Sequence, residues 1–179
     1  MTKIFGLVLT VFFATASVAQ VNLTPMDAGS KVHFVIKNFG INTGGDITGL
    51  KGSIKYDKSK PTLSSANVTV NVKTIDTDNS RRDKHLLSDD YFDAAKFPEI
   101  HIVSTKIETT TSAGNLLFTG MLTIKDVTKN IQFPFIVTPK DGGYLFEGNF
   151  TIDRRVYGVG GNSATMSDNV EVKLSVFAK

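Results

Sequence analysis

The chain's densest run of chemically capable side chains is SRRDKHLLSDDYFD, residues 80–93. Ser88, His85 and Asp89 are the residue types of acyl transfer, which needs nucleophile, base and orienting carboxylate in one line. Three near neighbours on one short helix cannot make that line, and no Gly-x-Ser-x-Gly turn presents a serine elsewhere. Asp76, Asp78 and Ser80 alternate as in the start of a calcium loop. Arg81, however, stands where that loop needs glycine, and Leu87 where it needs a bidentate glutamate. His33, His85 and His101 show no zinc spacing such as HxH or HExxH. His33 shares a strand face with Lys31 and Lys37, the face expected to meet water. Asp89 and Asp93 read as a solvated helix face. Gly158-Val159-Gly160-Gly161 carries only part of a dinucleotide fingerprint: Ser163 falls at the third glycine and no helix follows, so these glycines suit a bend or bulge. The residues point to no enzyme, no metal and no cofactor.

The start of the chain has the features of an export signal. Lys3 precedes an apolar run, Ile4 to Phe13, and Ser17-Val18-Ala19 is a small-x-small cleavage pattern. The run is shorter than the ~20 residues that span a bilayer. Residues 1–19 are therefore read as a signal peptide and 20–179 as the mature domain, periplasmic or secreted. The formal charge of +3 falls by one with Lys3, to +2. Lysines and arginines are scattered, unlike a nucleic-acid footprint. With no cysteine there is no disulfide, no thiolate nucleophile and no lipoprotein anchor. A freely soluble protein with no stable membrane anchor follows.

Beyond residue 30 the hydrophobic pattern has period two, the signature of strands with one buried side. Val32, Phe34 and Ile36 share a face, as do Ala66, Val68, Val70 and Val72. Leu116, Phe118, Leu122 and Ile124 follow with Gly120 among them, then Ile131, Phe133, Phe135 and Val137. Tyr144, Phe146, Phe150 and Ile152 form another face, and Val170, Val172, Leu174 and Val176 the last. With 45–56 and 99–110 these make about eight strands, joined mostly by hairpin-length turns such as Asp141-Gly142-Gly143. Parallel pairing would need long crossovers, so the expected class is all-β, an antiparallel barrel or sandwich in one domain. The exception is the opening stretch. Ser80 and Asp83 fit a capping box for a short helix, with a second turn of helix able to begin at Ser88-Asp89-Asp90. Phe97-Pro98 forces extended backbone into the next strand. A helix inserted once into a β meander covers an end or gap of the sheet.

The chain has 13 phenylalanines and no tryptophan, which suits an interior with few polar handles. Gly52, Ala66, Gly120 and Gly148 interrupt the inward faces. An eight-stranded barrel is just wide enough to be filled by side chains or to hold one small ligand. Large residues alternating with glycine either leave a channel or fit one another, and composition leaves both open.

Residues 81–105, RRDKHLLSDDYFDAAKFPEIHIVST, resemble the YceI-like family signature RDxHLxSxxFFDxxxYPxxxFxS. The match holds at Arg82, Asp83, His85, Leu86, Ser88, Phe92, Asp93, Pro98 and Ser104. Residues 118–135 are similar to its GxLTIxGVTKxV segment through Gly120, Leu122, Thr123, Ile124, Val127, Thr128 and Lys129. Arg154, Tyr157 and Gly158 match a weaker RxxFG element. Asp126 stands at a usual glycine, His101 at a usual phenylalanine and Val156 at a usual aspartate.

The resemblance implies a lipocalin-like barrel that binds a polyisoprenoid-type lipid, with residues 80–93 as a helical insertion seating Leu86, Tyr91 and Phe92 on the barrel. It implies a non-catalytic carrier or sequestering protein for a polyprenyl chain or isoprenoid quinone. The candidate lining residues are Phe34, Ile36, Val68, Val70, Phe118, Leu122, Phe133, Phe135, Phe146 and Phe150. Head-group candidates at a barrel mouth are Tyr144, Arg154 and Tyr157. An edge strand offers a route to a homodimer. The competing reading is a filled barrel, structural or stress-protective, that binds an envelope protein.

Overall fold

The computed structural model describes residues 20–179, so the expected signal peptide, 1–19, lies outside the described residues. The chain forms β1 (Val21–Leu23), β2 (Pro25–Asn38), β3 (Ile41–Ile47), β4 (Lys51–Tyr56) and β5 (Ser65–Asn71). After α1 (Ser80–Leu86) come β6 (Glu99–Thr109), β7 (Asn115–Ile124), β8 (Val127–Lys140), β9 (Gly143–Asp153) and β10 (Met166–Ala178). All ten strands belong to one curled antiparallel sheet in the order β1-β4-β5-β6-β7-β8-β9-β10-β2-β3. No described helix is long and apolar enough to cross a membrane.

The count of about eight becomes ten for a physical reason. β1 and β2 are a single pass of chain interrupted at Thr24, and β3 and β4 a single pass interrupted over 48–50. Leu23 pairs with Ile54 in one half of this double strand and Val32 with Ile47 in the other. At the interruption the Asp27 carboxylate accepts from the Gly49 and Leu50 N–H groups, at 3.1 and 2.9 Å. Gly49 has φ +77°, and a side chain there would run into the Asn71 Cβ. A strand expected to run unbroken from 45 to 56 is broken because only glycine fits that bend. Eight passes of chain thus surround the axis, and the two ends of the strand order meet through chain continuity.

The helical insertion is held by one buried threonine. Thr77 is 4% exposed. Asp83 accepts from its backbone N–H at 3.0 Å and from its hydroxyl, while the Arg82 guanidinium donates to its hydroxyl and carbonyl oxygens. The expected Ser80–Asp83 capping box is not formed. Asn79 is the N-cap, its side chain accepting from Arg82 N–H at 3.0 Å, which leaves the Asp83 carboxylate free to reach back to Thr77. A paired backbone bridge between Asp46 and Asp76 fastens this loop to β3. Residues 88–97 continue as turns rather than a second helix. They dock on the loop after β9 through Gly160 N–H to Asp90 O at 2.9 Å, and Lys125 Nζ donates to the Gly158 carbonyl at 3.2 Å. Gly158, at φ +66°, caps the 3-10 turn Arg154–Tyr157, so the glycines of 158–161 do serve a bend. At the β7–β8 turn the left-handed residue is Lys125, φ +56°, and not the neighbouring Asp126.

Inside the sheet, glycine and phenyl rings are matched. A Cβ on Gly120 would stand 2.5 Å from Phe118 Cε1, and one on Gly148 would stand 3.0 Å from the Phe133 ring. These glycines are seats for rings and do not themselves open a channel. The rings form a stacked row across three neighbouring strands, with centroids 4.8 Å apart for Phe118–Phe133 and 4.7 Å for Phe133–Phe150.

Two outcomes follow for stability. Asp83→Ala leaves both Thr77 donors without that acceptor, costing about 1–3 kcal/mol, or about 2–4 °C of melting temperature per kcal/mol for a domain this size. Gly120→Ala should lower the melting temperature more than Gly148→Ala, because its Cβ meets a closer ring and the Val103 carbonyl oxygen. Thermal unfolding followed by circular dichroism reads both, and equal melting of all three variants with the parent would refute the account.

Candidate functional site

The centre of the curled sheet is not filled. A cavity of about 240 Å³ lies there. The alternation of β2, β5, β7, β8 and β9 turns one residue in two toward this space, and the inward set is almost wholly hydrocarbon. At one end Leu86, Tyr91 and Phe92 of the insertion close over it together with Val159 and Arg154. Toward the other end Tyr56 lies edge-on to Tyr144 and Phe146, with centroids 4.8 and 5.7 Å apart. Such contacts are favourable arrangements for rings that must pack without stacking face to face.

All ten residues proposed from alternation, Phe34, Ile36, Val68, Val70, Phe118, Leu122, Phe133, Phe135, Phe146 and Phe150, are among those that line the cavity. The wall also includes residues that had not been singled out. Val170, Val172, Leu174 and Val176 of β10 line it, and their own alternation carried that signal. Ile107 was less accessible. The bulge between Ser104 and Lys106 inserts one residue in β6, so the inward parity of Ile100 and Ile102 passes to Ile107. Ser104 sits at this irregularity and accepts from Ala66 N–H at 2.9 Å, where the β5–β6 ladder ends.

The three head-group candidates are placed differently. Tyr144 and Tyr157 are not among the lining residues. Tyr157 is 2% exposed, packed with Leu122, Ile124 and Val159, and burial pushes its phenol above the usual range. Tyr56, which does line the cavity, is shifted in the same direction, chiefly by burial and secondarily by Tyr144 and Asp57. Both phenols therefore stay neutral at physiological pH. Arg154 reaches the wall but is 3% exposed. Its guanidinium donates to the Ser167, Val159 and Gly161 carbonyls and to the Asp168 carboxylate, at 2.9, 2.9, 3.1 and 3.1 Å. Four of its five donors are thus engaged in holding the loop after β9.

The chemically capable residues stay apart. His33 pairs with Asp46 through Nδ1 at 2.5 Å and is only partly exposed. His85 lies against the Tyr91 ring at 4.7 Å, and His101 bonds Asn67 at 2.6 Å. Asp76 is occupied in a turn, accepting from Asp78 N–H at 3.0 Å. Among the described residues no three His, Asp or Glu side chains converge as a metal ion requires. What the arrangement can do is enclose hydrocarbon.

Comparison with known proteins agrees with this geometry. A YceI-like domain matches residues 23–178. A UPF0312 protein of Shewanella sp. strain ANA-3 is 33% identical over 168 residues, covering 90% of this chain and 87% of that protein. The crystal structure of Burkholderia cenocepacia BcnA superposes with a TM-score of 0.81 at 26% identity, over 87% of this chain and 99% of BcnA. A polyisoprenoid-binding domain from Saccharophagus degradans, implicated in plant cell wall breakdown, shares the fold with a TM-score of 0.67 at 14% identity, over 90% and 99%. With the domain match spanning nearly all of the described residues, the chain belongs to the YceI-like family.

Proposed function

We propose that this protein is a non-catalytic binder of a long isoprenoid lipid, a polyprenyl chain or the tail of an isoprenoid quinone, which it carries or sequesters after export to the periplasm. The single observation that carries the reading is the cavity: a space enclosed by phenyl and aliphatic side chains and lined by no converging catalytic set. At about 240 Å³ it falls just below the range of roughly 300–1,000 Å³ typical of compact drug-sized ligands. The polyisoprenoid-binding domain that shares this fold supports the same ligand class.

The energetics require no charged anchor. Each methylene removed from water contributes about 0.8 kcal/mol, and sizeable ligands realise about 0.3 kcal/mol per heavy atom. A chain of ~40 carbons reaches about 12 kcal/mol at that efficiency, on the order of nanomolar affinity, whereas ~20 carbons reach only about half that energy. Retention should therefore rise steeply with the length of chain enclosed. The competing reading, a structural barrel that recognises an envelope protein, is less well supported, because the cavity leaves part of the centre unfilled.

Phe133 and Phe146 both line the cavity, and a carboxylate at either position would put an unpaired charge beside the hydrocarbon, at a cost of several kcal/mol. Organic extraction of purified protein followed by mass spectrometry should give a reproducible isoprenoid mass from the parent and none from Phe133→Asp or Phe146→Asp. If both variants fold by circular dichroism and still yield the lipid, the interior is not where it binds. If the parent yields none across several preparations, the carrier reading fails.

A further inference from the structure

The tip of the β2–β3 hairpin presents hydrocarbon to solvent beside the end of the cavity wall. Phe39 and Ile41 are the two most exposed large hydrophobic side chains among the described residues, at 75% and 70%. Ile36 and Met166 line the cavity close by: Met166 pairs with Asn38 across the ladder, and Phe39 N–H donates to the Thr165 carbonyl at 2.8 Å. Phe39 also holds a backbone that its side chain disfavours. With φ +51°, followed by Gly40 at +77°, it opens a left-handed two-residue turn in which asparagine, aspartate or glycine is the usual first residue. A phenylalanine there carries strain that no packing within the chain offsets, and such strain gathers where a protein meets a partner.

We propose that this hairpin tip docks the protein on the surface of a phospholipid bilayer, with Phe39 and Ile41 entering the boundary between headgroups and acyl chains. The inference rests on the lipid-carrier reading for its reason to approach a membrane, and it names that membrane as a second partner. Size decides against a protein. A specific protein interface takes about 20–30 residues a side, whereas the tip offers two side chains projecting from a two-residue turn. A bilayer moulds itself to a small projection and takes up single apolar side chains at its boundary. Charge agrees. Segments 36–45 and 159–166, which meet at this rim, contain no acid and one cation, Lys37. The acids that follow them, Asp46 and Asp168, are both held in ion pairs, while Lys37 is exposed and in none among the described residues. One ammonium is thus left for a lipid phosphate beside the two inserted side chains.

The chain has no tryptophan, so Phe39→Trp places a single fluorescent reporter at the tip. On adding vesicles of equal parts phosphatidylcholine and phosphatidylglycerol, its emission should move to the blue and be quenched by brominated acyl chains. In co-sedimentation with the same vesicles the parent should bind, and the double variant Phe39→Asn, Ile41→Thr should bind about 10-fold or more weakly, the factor that burying one such side chain supplies. Asparagine suits the left-handed turn, so the double variant should melt at or above the parent temperature, which separates lost docking from misfolding. A double variant that binds like the parent, or an emission in Phe39→Trp that vesicles leave unmoved, overturns the docking. A parent that dimerises where the double variant stays monomeric assigns the tip to a second copy of the chain and overturns it too. Organic extraction reads the carried lipid separately. Vesicle binding without extractable lipid sustains the docking and ends the carrier reading; extractable lipid without vesicle binding does the reverse.

Discussion

Backbone amides that face an apolar space must all be paired, and a sheet meets that demand only if its strand order comes back to where it began. The seam where it does so is the pass β1–β2 against β3–β4. There the ladder hydrogen bonds lapse at Thr24 and over 48–50, and other groups take their place. Asp27 receives the Gly49 and Leu50 N–H groups, Thr24 exchanges a pair of backbone bonds with Lys179, and Thr74 receives Thr48 N–H. Unpaired amides in this seam would each cost on the order of a buried hydrogen bond. With the seam satisfied, eight passes hold the axis open at a width that side chains alone do not fill.

An open axis creates a second demand, since its ends must be covered without charged groups entering. The insertion 79–98 answers this at one end. Its polar residues, Arg82, Asp83 and Asn79, all bond within their own loop, and its apolar ones, Leu86, Tyr91 and Phe92, turn inward. A stretch whose residue types look catalytic is thereby spent on satisfying its own backbone and burying three hydrophobic side chains. Arg154 has a comparable part in the loop after β9, where its cation is neutralised by Asp168 and its donors tie together carbonyls of 159, 161 and 167.

The interior then obeys two opposing requirements. Rings must pack closely enough that the sheet is stable, and they must leave room. Fitting phenyl rings beside Gly120 and Gly148 meets the first, with Phe118, Phe133 and Phe150 stacked across three strands. The cavity shows that the second is met as well. An enclosed hydrocarbon surface of this kind favours any chain that can thread it, and affinity comes from length more than from specific contacts.

How much of this was legible beforehand depends on the range of the interaction concerned. Period-two alternation is a local property of the backbone, so the strands, the antiparallel class and all ten nominated lining residues could be read directly. The turn chemistry at Asp141-Gly142-Gly143 was equally local, and so was the inserted helix. The insertion's motif, Arg82 to Ser104, carries the family resemblance in the sequence itself. What the alternation could not reveal were features set by contacts between distant segments. The split of 45–56 depends on Asp27 and Asn71, and the inward turn of Ile107 depends on a bulge against β7. The use of Asp83 depends on Thr77, and the burial of Tyr157 depends on β7 and the loop after β9. Whether glycines and rings would interlock or leave a gap was likewise undecidable from composition, because packing density is a property of the closed sheet. The chain's own chemistry determined which faces are greasy; only tertiary closure, which sets how far apart those faces stand, decided that they leave a cavity between them.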